Sequence, residues 1–222
     1  MNARFSGKVV LVAGGTGGLG RAVSLAFLQE GAKVAVTYRK QDEFDALKQA
    51  ARSNDSRLGG HVTDVTDEIA VSRLVDKILS EHGRLDALVN AVGGYAGGNK
   101  LWDSEARVLD QMLALNLRSG YALSRAAVPA MLKQNHGAIV NIAAKAAIAL
   151  LDSLAADLKG SGVRVNSVLP SIIDTEANRK AMPESDFALW PKPEDIARVI
   201  LFLCSDDARV IHGAAIPVYG DS

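Results

Sequence analysis

Lys8-Val9-Val10-Leu11-Val12-Ala13 runs directly into Gly14-Gly15-Thr16-Gly17-Gly18-Leu19-Gly20, and the apolar spacing from Arg21 to Leu28 that follows is helical. A β-branched apolar run this short reads as a buried strand, and the glycines let the chain turn sharply into the helix. A strand that hands over to a helix is half of a strand-helix-strand unit, whose long crossover makes the two strands parallel. The same alternation continues to the end of the chain. Further strands are expected at Lys33–Tyr38, Leu58–Val62, Leu85–Ala91, Ala138–Ile142, Arg164–Leu169 and Ala214–Val218. Between them, Leu19–Gln29, Asp42–Arg52, Glu68–His82, Val108–Met131, Leu150–Leu158 and Pro193–Cys204 carry apolar residues three and four apart. The expectation is an α/β fold of the Rossmann type, one domain over residues 1–222 with a doubly wound, seven-stranded parallel sheet. In such a sheet the ligand crevice lies at the carboxyl ends of the strands, where the strand order reverses.

Charge narrows the partners. Lys plus Arg and Asp plus Glu number 25 each, so no net field attracts nucleic acid or an anionic membrane, and a small diffusible partner is expected. Cys204 is the single cysteine, which excludes an internal disulfide and suits a reducing compartment. No apolar run approaches the ~20 residues of a membrane span, and Met1 to Lys8 carries no leader pattern; a cytoplasmic location is expected. His61, His82, His136 and His212 are scattered without ligand spacing, so no metal is expected.

The glycine turn has its own chemistry. Backbone N–H groups exposed at a helix start, together with the positive end of the helix dipole, favour an anion such as a diphosphate. A merely flexible glycine loop would not need a strand before it and a helix after it. The second strand ends Thr37-Tyr38-Arg39-Lys40, where a binder of an unphosphorylated adenosine ribose would present a carboxylate. Tyr38 stands there instead, and Arg39 and Lys40 can pair with a 2′-phosphate; NADP(H) is therefore expected over NAD(H).

The spacing Gly14-x3-Gly18-x-Gly20 resembles the short-chain dehydrogenase/reductase family, with Ala13 where that family commonly has threonine. The resemblance implies a set of cofactor contacts. Gly14, Thr16, Gly17, Gly18, Leu19 and Gly20 would contact the cofactor, the glycine backbone at its diphosphate, and Asp64 and Val65 in Val62-Thr63-Asp64-Val65-Thr66-Asp67 would meet the adenine. Asp67 reads as the cap of the next helix. Asn90, Ala91 and Gly93 match the family's fourth-strand motif, with Ala91 at a usual asparagine position. Asn116 matches the helix asparagine whose carbonyl holds a water in the family's proton relay, which makes it the catalytic candidate. Pro170, Ile173 and Thr175 fall where the family seats the nicotinamide carboxamide, and about 175–192 would form a substrate lid that includes Trp190. The family pairs its long fourth and fifth helices across a two-fold axis, so a homodimer or homotetramer is expected, with Leu117, Tyr121, Leu123 and Val128 as candidate contacts.

One signature is missing. Family members use a tyrosine as proton donor with a lysine four residues later, and none of Tyr38, Tyr95, Tyr121 and Tyr219 has that partner. The crossover after Ala144, the usual serine position, is roughly 17 residues shorter than the family's, though still above the ~12 that a parallel crossover needs. Two explanations stand: a stretch carrying Tyr and Lys belongs between Ile148 and Ala149, or the chain truly lacks the acid and cannot reduce anything efficiently. The first is the expectation, with Ala143–Ile148 as loop. Segments at Gly93–Asn99, Ala144–Ile148 and Asp174–Phe187 are similar to the quinonoid dihydropteridine reductase branch, which also has alanine for the serine; there Tyr95 would stack on a flat substrate. The functional expectation is an NADPH-preferring reductase of a small metabolite. A 3-oxoacyl thioester reductase and a catalytically inactive nucleotide-binding module are the alternatives.

Overall fold

Alternate residues of β1 (Val9–Ala13) face opposite sides of the sheet, and all five are buried. Val10 and Val12 join one core with Val23, Phe27, Ile196 and Ile200, whereas Val9, Leu11 and Ala13 join a second with Val71, Leu123 and Leu151. Such two-sided burial is the reason the strands read as unbroken apolar runs. The computed structural model describes residues 3–94, 101–143 and 145–221. Around β1 lie β2 (Lys33–Tyr38), β3 (Leu58–Val62), β4 (Ala87–Asn90), β5 (Gly137–Ile142), β6 (Val163–Pro170) and β7 (Ala215–Val218). All pairings are parallel, in the order β3-β2-β1-β4-β5-β6-β7. The order reverses between β1 and β4, where Ala13 is level with Asn90 and Asn90 with Asn141.

The helices are α1 (Gly18–Gln29), α2 (Gln41–Ala51), α3 (Glu68–His82), α4 (Ala106–Leu113), α5 (Ser119–Gln134), α6 (Lys145–Asp157), α7 (Glu176–Ala181) and α8 (Pro193–Cys204). α1 and α8 cover one face of the sheet; α3, α5 and α6 cover the other. Local chemistry sets several ends. Asp67 accepts from the N–H groups of Ile69 and Ala70, capping α3 as its sequence position implies, and Gly83 closes that helix at φ 71°.

Two expectations need correction. The single helix expected over Val108–Met131 is α4 and α5 joined by a π-helical turn at Ala114–Arg118. The loop expected over Ala143–Ile148 is helical from Lys145, and α6 passes without interruption through Ile148 and Ala149, where a break was expected. The reason is local. Alanine and leucine are the strongest helix formers, and Ala147, Leu151, Ala155 and Leu158 bury one face against the sheet at helical spacing. The short crossover thus closes by running helix straight back from the end of β5.

Asp86, just before β4, ties the amino ends of the sheet together. Its carboxylate accepts from the Val9 N–H at 2.9 Å and from the Arg84 guanidinium at 2.7 and 2.5 Å, with Lys8 at 3.4 Å. Burial raises its pKa, but the Arg84 and Val9 hydrogen bonds and the charges of Arg84 and Lys8 outweigh that and hold it below the usual carboxylate range. A depressed folded-state pKa contributes stability above the unfolded value, and the contribution disappears as pH falls through the folded value. Asp86→Ala is expected to cost about 2–3 kcal/mol at pH 7, since it strands a buried N–H and unpairs Arg84. Urea titrations of both proteins should show that gap closing below about pH 4. A gap that does not narrow at all as pH is lowered from 7 would refute the assignment.

Candidate functional site

Above the carboxyl ends of β1, β2 and β4 lies a cleft of about 290 Å³. Its floor is the glycine turn, which the second strand holds in place: Gly14 N–H donates to Thr37 Oγ1 at 2.8 Å and Gly15 N–H to the Thr37 carbonyl at 3.1 Å. Ser24 Oγ returns from α1 to the carbonyls of Gly15 (3.1 Å) and Gly20 (2.8 Å). The bend tolerates no side chain at its closest approaches. A Cβ on Gly20 would lie 2.0 Å from the Gly14 oxygen, and one on Gly15 would lie 2.5 Å from Val36. Gly14 itself sits at φ 71°.

This cradle fits a dinucleotide diphosphate. α1 begins beside the cleft without a side-chain cap and without an acid in its first turn, so no side chain satisfies its leading N–H groups. Gly14, Thr16, Gly17, Arg39, Asp64, Val65, Ala91 and Gly93 all line the cleft, as the sequence implies. Gly18, Leu19 and Gly20 form the first turn of α1. Asp64 accepts from the backbone and hydroxyl of Thr66, and these bonds, with the charge of Arg39, lower its pKa. Tyr38, at the acid's position, stacks on Phe44 (4.7 Å, 5°) and donates to Gln41 at 2.7 Å.

Several residues lie one step back. Asn90 is buried and donates to Ser119 Oγ at 3.2 Å while accepting from the Val92 N–H. Asn116 lies in the π turn, where its amide clamps Gly94 by accepting from the N–H (3.0 Å) and donating to the carbonyl (2.9 Å). Its side chain therefore fixes the loop after β4. Pro170 ends β6; the Ile173 carbonyl accepts from Asn178, and Thr175 caps α7. The Thr175 methyl packs over the glycine turn, since a Cβ on Gly18 would lie 2.7 Å from it. Tyr95 and Ala144 lie outside the described residues. Trp190, expected among the substrate contacts, is 6% exposed and packs on Phe187 within the 175–192 segment. Leu123 is likewise a core residue, fully buried, and not an interface contact.

The sequence reading missed Glu43. From the first turn of α2 its carboxylate accepts from Thr16 Oγ1 at 3.0 Å and pairs with Lys40 at 3.3 Å, inside the cleft. The i, i+3 spacing of Lys40 and Glu43 was the available signal.

At the ends of β4 and β5, where the resemblance places the chemistry, a cavity of about 10 Å³ is lined by Asn90, Asn116, Asn141, Ala147, Leu150 and Leu151 among others. The residues that α6 contributes, Ala147, Leu150 and Leu151, have no side chain that can donate a proton. Among the described residues no three His, Cys, Asp or Glu side chains could hold a metal, and no helix is long and apolar enough to cross a membrane.

A family model described as enoyl-(acyl carrier protein) reductase matches residues 13–220. The 3-oxoacyl-[acyl-carrier-protein] reductase of Thermotoga maritima is 31% identical, over 98% of this chain and 98% of its own. That alignment spans 242 positions against the 222 residues here, so at least 20 residues of the relative have no counterpart, in keeping with the short crossover before α6. D-Threitol dehydrogenase of Mycolicibacterium smegmatis is 32% identical over 98% of this chain and 93% of its own. Among solved structures, ElxO with NADP bound superposes with a TM-score of 0.90 at 28% identity, covering 96% of this chain and 97% of that one. The dihydropteridine reductase branch is not among these relatives, but the glycine turn, the strand order and the whole-length matches agree: the chain belongs to the short-chain dehydrogenase/reductase family of NAD(P)-dependent oxidoreductases.

Proposed function

We propose that this chain is an NADP(H)-preferring oxidoreductase of the cytoplasm that reduces small conjugated acceptors, of which a quinonoid dihydropteridine is one example. The observation that carries the coenzyme preference is exposed Arg39 at the end of β2, beside Tyr38 where an acid would reject a 2′-phosphate. When bound, the nicotinamide supplies the hydride. The chain holds the diphosphate on the glycine turn, the 2′-phosphate on Arg39 and the carboxamide near Ile173 and Thr175. Support for the acceptor class comes from the apolar α6 lining of the small cavity, Ala147, Leu150 and Leu151. With no tyrosine on α6, an isolated carbonyl would lack the family's proton donor and would have to find its proton in water, whereas a quinonoid ring spreads the arriving charge itself.

Arg39→Ala is expected to weaken NADPH binding about tenfold, one charge-assisted contact, and to leave NADH within about twofold. Fluorescence titration of both coenzymes reads this directly, and equal losses would refute the preference. A 3-oxoacyl thioester reductase is the second reading, favoured by the activity named for the Thermotoga maritima relative. Rates of NADPH oxidation on a 3-oxoacyl thioester and on a quinonoid acceptor separate the two, and binding without turnover on either supports an inactive module.

Two copies are expected to pair through α5 and α6. A groove of about 420 Å³ between them is lined by Tyr121, Val128, Leu150 and Leu154. Sedimentation equilibrium should give a dimer or tetramer mass; a monomer at micromolar concentration would count against it.

A further inference from the structure

Glu43 occupies an anion's position. The groups that hold its carboxylate are the Thr16 hydroxyl, 3.0 Å away on the glycine turn, and the Lys40 ammonium, 3.3 Å away at the start of α2. Both are donors that a phosphate monoester would use, and both line the same cleft as Arg39. The carboxylate reaches them from α2, 27 residues along the chain from Thr16, so the contact exists only because β2 and α2 return the chain to the glycine turn. The pair is not sealed in the core. The Glu43 side chain is 40% exposed and that of Lys40 71%, so the contact can open when an incoming anion competes for it.

From this arrangement we propose that Glu43 is an internal competitor for the 2′-phosphate seat. Its carboxylate holds the Thr16 hydroxyl and the Lys40 ammonium in the free protein, and a coenzyme with a 2′-phosphate must displace it. A coenzyme with a plain 2′-hydroxyl has no such need, and Glu43 can remain in place. Glu43 therefore narrows the discrimination that Arg39 supplies, and it is a specificity-determining residue. This rests on the NADP(H) reading above. A ribose phosphate carries a charge of about −1.5 to −2, so a carboxylate a few ångströms away in a wet cleft lowers its affinity by about tenfold.

The alternative is a simple latch. In that case the Thr16–Glu43 bond steadies the mouth of the cleft, and its loss affects every adenine nucleotide alike. Glu43→Gln separates the two because it keeps an acceptor for Thr16 and removes the charge. The readout is calorimetric binding of two fragments without nicotinamide, adenosine 2′,5′-bisphosphate and adenosine 5′-diphosphate. Glu43→Gln is expected to bind the first about tenfold more tightly and the second within about twofold of wild type, and the gain should shrink as salt rises. Glu43→Ala should reproduce the selective gain. Equal changes for both fragments, or none for either, would overturn the proposal. Arg39→Ala keeps the two readings apart: if wild type shows no preference for the 2′-phosphate fragment and Arg39→Ala changes nothing, the NADP(H) reading has failed. A selective gain from Glu43→Gln would still establish that carboxylate as a barrier to the 2′-phosphate.

Discussion

Gly20→Ala is expected to weaken dinucleotide binding at least ~100-fold, close to 3 kcal/mol. One methyl group does this because of where it lands. The new Cβ would lie 2.0 Å from the Gly14 oxygen, 2.8 Å from the Gly14 carbonyl carbon and 3.0 Å from the Gly15 Cα. All three are backbone atoms of the bend itself, so no rotamer change relieves the clash. Nor can the bend yield easily. Gly14 is held at φ 71°, and its N–H is tied to Thr37 on β2, while Ser24 ties the carbonyls of Gly15 and Gly20 from within α1. Relief therefore means moving the start of α1 away from the end of β1, which disperses the N–H groups that face the diphosphate. The core beneath is extensive, with Val23, Phe27 and Leu28 fully buried, so the variant should fold and keep its circular dichroism spectrum. Gly17→Ala is the control: its Cβ would meet the Gly14 oxygen at an ordinary 3.5 Å, and its melting temperature should match wild type. NADPH titration with Gly20→Ala decides the matter, and unchanged affinity would remove the glycine turn from the site.

The parts of this molecule that a reader of the sequence can recover are the ones encoded locally. The glycine turn announces itself because only glycine satisfies its backbone, and Asp67 announces the start of α3 because a carboxylate two residues before Ile69 meets its N–H. Strands buried on both faces are legible as apolar runs. What escapes is decided at a distance. Glu43 is an ordinary acid on an exposed helix face until folding brings Thr16 to it. Trp190 reads as a lid residue until its burial against Phe187 is seen. The start of α6 was misplaced for a third reason. Comparison with longer relatives suggested missing chain, whereas Lys145-Ala146-Ala147-Ile148-Ala149 has the propensity to extend the helix and the apolar face to dock it.

The shortened crossover leads to the other large effect. With NADPH as donor, an isolated ketone is expected to be reduced ~10²–10⁴ more slowly than a quinonoid acceptor of similar size, the usual worth of a positioned general acid. The reason is the composition of the α6 face that looks onto the ends of β4 and β5. Ala147, Leu150 and Leu151 line the small cavity there with Asn90, Asn116 and Asn141, and among these only amide groups are polar. An amide can orient a polar group, but it does not release a proton near neutrality. Tyr38 cannot substitute, since its ring stacks on Phe44 and its hydroxyl is engaged by Gln41 on the adenosine side of the cleft. A ketone gathers the full charge of reduction on one oxygen, and none of Ala147, Leu150 and Leu151 can meet it with a proton; a quinonoid ring distributes that charge over several atoms before water protonates it. The pH profile gives an independent check. Where a tyrosine made acidic by a lysine serves as proton donor, the rate falls as that pair ionises, so here the quinonoid rate should stay level from about pH 6 to 9. Ketone rates equal to quinonoid rates, or a steep loss across that range, would mean that an acid outside the α6 face reaches the substrate.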